Sequence, residues 1–274
     1  MFDKVLKCPT IKEMIEICTN MYKKGWDERN GGNVSVILSD EEVKKYIPKK
    51  AKRIIDCHCD ASYLKGKYIA VTGTGKYFKN VAKNPSNNIG IIRIKDSGNE
   101  AELVWGLNDG TNPTSELPTH LMNHITRLKI DNKHRVVIHT HATNTLALSF
   151  VLPENEDEIT KVLWKMQTES IVVFPEGIGY VPWMVCGGKE IGEATSEKLN
   201  KYRVVIWGMH GVFGVGRTID ETFGLIETVE KAAMVYMLVK DNIKQSITND
   251  QLKDVANAFN LKFKPIIWKE ELFH

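Results

Sequence analysis

The chain has 274 residues, of which 42% are hydrophobic and 26% charged, which is ordinary for a globular protein with a substantial core. A core of this size does not need disulfides or a structural metal ion in order to fold. The formal net charge of +3 is too small to indicate a nucleic acid or a membrane as a partner. The five cysteines are odd in number and irregularly spaced, so we expect reduced thiols.

The sequence has no segment typical of export or membrane insertion. Its N-terminal residues form no apolar signal core, and no apolar run approaches the roughly 18 residues of a membrane span. We therefore expect a cytoplasmic protein. No repeat or long linker divides the chain, and residues 1–274 are interpreted as one domain.

The first part of the chain predicts a helix followed by several strands. Residues 11–25 place apolar side chains at helical spacing and end on a glycine. Residues 40–66 are charged and irregular, which is typical of a solvated surface excursion. Strands are predicted at 34–38, 68–72, 89–95 and 101–106, the last two as a hairpin.

The second part predicts helices that alternate with strands. Ser115 precedes a helical pattern that starts at Leu117, and we expect its hydroxyl to cap that helix. Further helices are predicted at 144–151, 156–167, 188–201, 219–241 and 249–259, and strands at 135–139, 170–174 and 203–207. Several strands are close enough in sequence to form hairpins. We therefore expect an α/β fold with three α/β/α layers, a central mixed, mostly antiparallel sheet and helices on both faces.

Two histidines stand two positions apart at the end of a predicted strand. Side chains at i and i+2 of a strand share a face, with Cα atoms about 6.5 Å apart, so His139 and His141 can converge on one ion. His210 has a similar position, after the strand 203–207 and before a glycine. Three histidines suit a catalytic zinc site with one open position. Buried histidines satisfied by the core remain the alternative for so short a motif.

Two glutamates are candidates for proton transfer. Glu116 lies at the start of a predicted helix, where the helix dipole favours a carboxylate, so capping alone would account for it. Glu169 directly precedes the predicted strand 170–174, and a solvated glutamate at a helix end is the alternative. Spacing alone selects neither residue as catalytic.

Two glycine segments and one helix start have features of a phosphate site. Residues 31–33 (Gly-Gly-Asn) and 73–75 (Gly-Thr-Gly) permit close backbone approach and offer N–H groups. Residues 114–115 (Thr-Ser) add hydroxyls at the positive end of a helix. Neither glycine segment has the spacing of a P-loop, and ordinary turn glycines remain the alternative.

Eight segments along the chain form a combined pattern that is far more specific than any one of them. They are 25–33 (GWDERNGGN), 71–78 (VTGTGKYF), 113–118 (PTSELP), 139–144 (HTHATN), 172–175 (VVFP), 182–185 (PWMV), 210–214 (HGVFG) and 220–226 (DETFGLI). With these segments the chain resembles the class II aldolase/epimerase superfamily over nearly its whole length. Two departures are Thr74, which replaces a serine but keeps a hydroxyl, and residues 40–66, which match poorly.

The resemblance implies one zinc ion per subunit, held by His139, His141 and His210. It implies that Glu116 is the base acting on dihydroxyacetone phosphate, able to approach the metal when no substrate is bound. It also implies a catalytic role for Glu169, in its own or a neighbouring subunit's site. The implied phosphate pocket consists of Asn30, Gly32, Asn33, Thr74, Gly75, Thr114 and Ser115. The implied assembly is a fourfold-symmetric homotetramer that takes a small sugar phosphate.

The implied reaction is cleavage of a 1-phosphoketose between C3 and C4. Zinc would act as a Lewis acid that stabilises the enediolate, and a carboxylate would exchange the C3 proton within hydrogen-bond reach. Another polar group must handle the proton of the leaving aldehyde. Glu169 is one candidate, and a tyrosine or a water molecule is equally admissible.

Three other functions remain as alternatives. An epimerase on the same scaffold would cleave and rejoin the same kind of bond, but that branch carries aspartate where Glu116 stands. A fuculose-phosphate aldolase shares the metal ligands, but it is shorter and lacks the 40–66 excursion. An adducin-head-like binding module would keep the fold without catalysis, but it would have lost the three histidines, which are present here.

Overall fold

The structure, a computed structural model, describes residues 3–264. The strands of this part are β1 (Asn33–Ile37), β2 (Arg53–Asp56), β3 (Tyr68–Thr72), β4 (Ile89–Ile94), β5 (Glu100–Gly106), β6 (Val136–Thr140), β7 (Gly179–Val181), β8 (Val204–Trp207) and β9 (Gly211–Gly216). They form one sheet in the order β2-β5-β4-β3-β1-β6-β9-β8-β7. Strands β7 and β8 pair in parallel, and every other neighbouring pair is antiparallel. The expected mixed, mostly antiparallel sheet is confirmed.

Helices cover both faces of this sheet. They are α1 (Pro9–Lys23), α2 (Asp40–Tyr46), α3 (Pro85–Asn88), α4 (Leu117–Ile130), α5 (Thr143–Leu148), α6 (Glu156–Met166), α7 (Thr168–Val173), α8 (Lys189–Lys198), α9 (Ile219–Val239) and α10 (Asn249–Ala258). The three-layer α/β/α arrangement expected from the alternating elements is therefore confirmed.

The alternation of side chains along each strand divides the interior into cores on the two faces. On β8, Val204 and Ile206 enter a core shared with α1, α6 and α9. Val205 and Trp207 point to the opposite face, where they pack with Ile191 of α8. Helix α4 lies beside α8 on that second face. On this second face, the N-terminal end of α4 lies over the middle of the sheet.

The predicted strand at residues 170–174 is wrong, because this segment belongs to helix α7 and its end. The buried positions are Ser170, Ile171 and Phe174, which is the spacing of a helix rather than the alternation of a strand. Periodicity cannot separate a short apolar strand from a short buried helix. Packing against α6, α9 and α10 decides in favour of the helix.

The expected cap of α4 is also wrong. Glu116 occupies the N-cap position, no side chain caps the helix there, and Ser115 is exposed. The Thr114 hydroxyl instead accepts a hydrogen bond of 3.3 Å from the Glu116 N–H. Pro118 in the first turn has no N–H to satisfy, which reduces the need for a capping side chain.

The excursion at residues 40–66 is more ordered than its charge suggested. It contains α2 and the edge strand β2, which pairs with β5. Cys57, Ala61 and Leu64 are fully buried in the second core. Its lysines 44, 45, 49, 50 and 52 are exposed, as expected of a solvated basic cluster. An edge strand flanked by charged side chains resists pairing with another sheet.

The remaining predicted helices and strands are present with shifts of a few residues at their ends. Within residues 3–264, no helix combines the length and apolar character needed to cross a bilayer.

Candidate active site

Three histidines converge where β6 ends beside the turn between β8 and β9. His139 is the penultimate residue of β6, and His141 follows that strand. His210 lies in the turn that β9 places next to β6. One ring nitrogen of each lies within 4.8 Å of the others. Gly211 permits this approach, because a Cβ there would lie 2.6 Å from the Thr140 carbonyl oxygen.

The hydrogen bonds of the histidines leave their other ring nitrogens free. His139 Nδ1 lies 3.2 Å from the Val212 carbonyl oxygen, and His141 Nδ1 lies 2.8 Å from Glu28 Oε1. These oxygens only accept, so both Nδ1 atoms donate and both Nε2 atoms keep a lone pair. His139 Nε2 is buried and has no hydrogen-bond partner within residues 3–264. An orphaned buried acceptor beside two other imidazoles is what a metal ion would satisfy.

Burial keeps the rings of His139 and His210 in the form that binds metal. It holds the pKa of His139 well below its usual value, and the neighbouring His141 and His210 add to this effect. Burial, with His141 beside it, lowers the pKa of His210 to about 4. Neutral imidazole is the ligand form. The Phe213 ring stacks on the His139 ring with centroids 4.4 Å apart, and this packing restricts the orientation of the imidazole.

Glu116 is the buried carboxyl group nearest to His139. Its Oε2 lies 3.9 Å from His139 Nε2 and 3.0 Å from Asn33 Nδ2, which donates to it. Burial raises the pKa of Glu116 to about 7, against the lowering effect of the Asn33 hydrogen bond. A carboxyl group with such a pKa can both accept and return a proton near neutral pH.

Cys186 is a site neighbour that the sequence patterns did not single out. Its exposed thiol belongs to a second cluster in which one ligand atom each of Glu116, Cys186 and His210 lie within 4.8 Å of one another. The only sequence signal was its place directly after the 182–185 segment.

The segment 26–32 holds the ligands from one side. The Trp26 carbonyl oxygen accepts from the His141 N–H at 2.9 Å and from the Thr140 hydroxyl at 3.1 Å. Gly32 has φ +71°, and a Cβ there would lie 1.8 Å from Asp27 Oδ1. Glycine at position 32 is therefore required by the packing of this loop, whether or not it also approaches a phosphate.

Three of the expected phosphate ligands share one cavity. Thr74, Thr114 and Ser115 line a cavity of about 540 Å³ to which the excursion contributes Asp56 and His58. The Thr74 N–H is already donated to the Asn112 carbonyl oxygen at 2.9 Å and the Thr114 N–H to the Thr72 carbonyl oxygen at 2.9 Å, so these two residues offer the cavity their hydroxyl groups rather than their N–H groups.

The other expected phosphate ligands are placed differently. Asn30 and Gly75 are exposed, and Gly75 lines a neighbouring cavity. Asn33 is buried, and its amide bridges Glu116 and His120. Asn33 thus contacts the Glu116 carboxyl group and does not line the cavity of Thr74, Thr114 and Ser115, which we call the hydroxyl cavity.

Glu169 lies apart from the histidine site. It is exposed on α7, a helix that packs against α6, α9 and α10. Among the described residues, neither cluster of metal-ligating atoms includes it. The resemblance implied a catalytic role for Glu169 in its own or a neighbouring subunit's site, and its exposed position on α7 leaves the side chain accessible to a neighbouring subunit.

Sequence analysis also missed a row of buried polar residues behind Glu116. Asn33 Oδ1 bonds to His120 Nε2, and Ser35 Oγ lies 2.6 Å from His120 Nδ1 and 2.8 Å from His124 Nε2. We call Glu116, Asn33, His120, Ser35 and His124 the polar ladder. A detectable signal was the four-residue spacing of Glu116, His120 and His124, which places them on one side of a helix.

The sequence and the fold match one known family. A family model described as "Class II Aldolase and Adducin N-terminal domain" matches residues 12–237, and the chain belongs to this family. A crystal structure of a sugar-phosphate aldolase from Thermotoga maritima superposes with a TM-score of 0.72 at 30% identity, covering 85% of this chain and 95% of that one.

Two relatives with higher sequence identity carry the same name. The rhamnulose-1-phosphate aldolase of Listeria monocytogenes is 51% identical over 257 residues, which cover 93% of this chain and 94% of the relative. The rhamnulose-1-phosphate aldolase of Enterococcus faecalis is 49% identical over 260 residues, with 94% and 93% coverage. The expectations of an aldolase and of a lyase are confirmed, and the resemblance stated from the eight segments is correct.

Proposed function

We propose that this chain is a zinc-dependent aldolase that reversibly cleaves L-rhamnulose 1-phosphate into dihydroxyacetone phosphate and L-lactaldehyde. The reaction type is carried by one observation: the Glu116 carboxyl group lies 3.9 Å from His139 Nε2, a buried atom with no partner in a three-histidine cluster. The sugar is supported by the shared name of relatives about half identical over nearly the whole chain.

His139, His141 and His210 are the proposed zinc ligands. Three neutral imidazoles, with a fourth side open to substrate, suit zinc among the divalent ions. When bound, the ion supplies a Lewis acid that stabilises negative charge on the ketose oxygens during cleavage. Glu28 and the Val212 carbonyl oxygen orient two of the rings through their Nδ1 atoms.

Glu116 is the proposed base for the dihydroxyacetone phosphate half. In the cleavage direction the C4 hydroxyl loses its proton, the C3–C4 bond breaks, and the aldehyde leaves. Glu116, which is protonated at the start of this direction, then donates its proton to C3 and regains one from solvent, and in synthesis it removes the C3 proton. Glu169 of a neighbouring subunit is the proposed acceptor of the hydroxyl proton, which accounts for its exposure far from its own subunit's histidines.

The substrate phosphate is proposed to bind near the hydroxyl groups of Thr74, Thr114 and Ser115, which line a common cavity. The remaining members of the proposed phosphate pocket are Asn30, Gly32, Asn33 and Gly75. Of these, Asn33 acts mainly by holding Glu116, since its amide already bridges two ladder residues.

A cytoplasmic homotetramer of single-domain subunits is the proposed assembly. Phe150, Trp183, Val185 and Met209 are exposed apolar side chains near His210 and Cys186. The segments are adjacent, since the Met209 N–H donates to the Ser149 hydroxyl at 2.8 Å. Exposed apolar clusters of this kind mark protein interfaces.

Sedimentation tests this assembly. The mass of the particle should be four times the chain mass, and Trp183→Glu should lower it. A monomeric wild type would refute the assembly.

A retro-aldol assay tests the proposed reaction. Purified protein would receive L-rhamnulose 1-phosphate or L-fuculose 1-phosphate, with and without a chelator, and dihydroxyacetone phosphate would be measured. We expect faster cleavage of the rhamnulose ester and loss of activity with chelator, reversed by zinc. Faster cleavage of the fuculose ester would reassign the sugar. Cleavage that resists complete metal removal would contradict the metal mechanism, and no cleavage of either ester would overturn the aldolase assignment.

A further inference from the structure

The polar ladder arises where a strand and a helix match in repeat distance. Glu116, His120 and His124 recur every fourth residue at the start of α4, about 6 Å apart along the helix. Asn33 and Ser35 stand two residues apart on β1, about 6.6 Å along the strand. Because these two repeat distances are nearly equal, side chains from the strand and from the helix alternate along the polar ladder, which is called the row below.

Every member of the row is removed from solvent. The exposed fractions are 6% for Asn33 and Glu116, 1% for His124 and 0% for Ser35 and His120. Burial lowers the pKa values of His120 and His124 to about 3, so both rings are neutral. A neutral imidazole has one donor nitrogen and one acceptor nitrogen, so each hydrogen bond constrains the next.

The chemistry of the groups sets a single direction. The Asn33 carbonyl oxygen can only accept, so His120 Nε2 carries the proton and His120 Nδ1 is an acceptor. Ser35 therefore donates its hydroxyl proton to His120 Nδ1 and accepts from His124 Nε2.

At its other end, Asn33 Nδ2 donates to Glu116 Oε2. Every hydrogen bond of the row thus points toward the Glu116 carboxylate. The opposite direction would require Glu116 to donate, and therefore to carry a proton. Chains of aligned hydrogen bonds strengthen one another in a buried environment.

We propose that Ser35, His120 and His124 are positioning residues that orient the Asn33 amide and, through it, hold Glu116 ready to accept a proton. Without them the Asn33 amide could rotate and present its carbonyl oxygen to the carboxylate, which would repel Glu116 from its position. The inference rests on the proposed role of Glu116 as base. None of the three residues contacts the three metal-ligating nitrogens through a hydrogen bond among the described residues.

The direction of the row is tested without any turnover. Protein labelled with ¹⁵N in its histidine rings, free of metal and held above pH 8, would be studied by NMR, with His120→Gln and His124→Gln variants to assign signals. We expect His120 and His124 of the wild type to be neutral tautomers that carry the proton on Nε2 and none on Nδ1. A proton on His120 Nδ1 would overturn the proposal.

The consequence for Glu116 is tested by proton exchange at C3 of dihydroxyacetone phosphate in D₂O. We expect Ser35→Ala to lower the maximal exchange rate about tenfold, part of what a general base contributes. The KM and the bound metal should stay unchanged, and Ser35→Thr should restore most of the rate.

His134→Gln is the matched control, because His134 is equally buried but accepts its hydrogen bond from Arg127, outside the row. A Ser35→Ala enzyme that keeps its metal and exchanges the C3 proton at the wild-type rate would overturn the inference. A lower exchange rate that is explained by loss of bound metal, or that His134→Gln shows as well, would also overturn it. Absence of exchange in the wild type would instead contradict the proposed function, while the tautomers would still decide the direction of the row.

Discussion

Glu116 combines two properties that a base requires, namely burial and a position beside the histidine cluster. Replacing it with glutamine keeps the size of the side chain and an oxygen that accepts from Asn33. We expect Glu116→Gln to fold and bind metal but to lose about 10²- to 10⁴-fold in kcat, the usual contribution of a general base. Dihydroxyacetone phosphate release and metal analysis would measure this.

The matched control is Glu193→Gln, which removes an exposed carboxylate that forms a surface ion pair with Lys189. It should remain fully active. A Glu116→Gln enzyme with near wild-type turnover would remove Glu116 as the base.

The raised pKa of Glu116 also predicts how stability depends on pH in the metal-free protein. Its folded pKa of about 7 lies above the ordinary 4.5, so the folded state holds the proton more tightly than the unfolded state. The contribution of this group is therefore present below pH 4.5 and is lost as pH rises through 7. Between pH 4.5 and 8 this loss amounts to about 3 kcal/mol.

Chemical denaturation of metal-free wild type and Glu116→Gln at several pH values would check this. Glutamine does not titrate, so the variant should gain stability relative to wild type as pH rises. The comparison cancels the opposite effect of the buried histidines, whose lowered pKa values favour folding as pH rises. A stability difference that is constant with pH would contradict burial of the ionised carboxylate.

At this scale the sequence predicted the histidine cluster better than its surroundings. His139 and His141 follow from the two-residue repeat of a strand, which is local. Glu116 was selected only through family resemblance, since a helix start equally suits a capping carboxylate. The link from Asn33 to His120 joins residues 87 positions apart, and no local pattern predicts which strand residue faces which helix turn.

Helix α5 begins at Thr143, two residues after His141, and depends on a carboxylate from another helix. Glu230 of α9 accepts from the N–H groups of Asn144 and Thr145 at 2.9 and 2.7 Å, and from both of their side chains at 2.8 Å. We expect Glu230→Ala to lower the free energy of unfolding by about 3 kcal/mol, because four donors lose a buried acceptor. Urea denaturation would measure the loss.

Glu227→Ala is the control on the same helix, since Glu227 forms a half-exposed ion pair with Lys24. It should cost less than about 1 kcal/mol. Equal losses in the two variants would show that Glu230 does not anchor the start of α5.

Among the elements, long helices with a clear apolar face were predictable, and short apolar runs were not. The sequence of residues 170–174 suits a strand by composition, and only its packing partners make it a helix. Strand β2 was hidden in a charged segment because an edge strand needs few apolar side chains, and its pairing with β5 supplies the backbone hydrogen bonds.

At the scale of the whole molecule, the histidine site joins β6, the β8–β9 turn and the loop before β1. An ion bound there would connect these distant segments in the folded state alone, so it should stabilise folding by mass action. We expect zinc at one hundred times its Kd to stabilise the apo protein by about 2.7 kcal/mol. Thermal unfolding with and without zinc would show this as a rise in Tm.

His210→Ala should abolish the rise in Tm, and His134→Gln should keep it, because His134 lies outside the ligand set. A zinc-dependent rise that survives His210→Ala would place the ion elsewhere.

The sequence by itself determined the fold class and the family, because the fold class depends on local periodicity and the family on eight segments read together. The same segments singled out the three histidines as candidate ligands. Only the tertiary structure decided that Asn33 faces Glu116 rather than the hydroxyl cavity, that Cys186 lies beside the site, and that Glu169 lies away from it. The first of these relations follows from the antiparallel pairing of Asn33 with His139 and from the contact of the α4 N-terminus with β1. The physical reason is that strand register and helix seating are set by the combined packing of many side chains, which no single segment encodes.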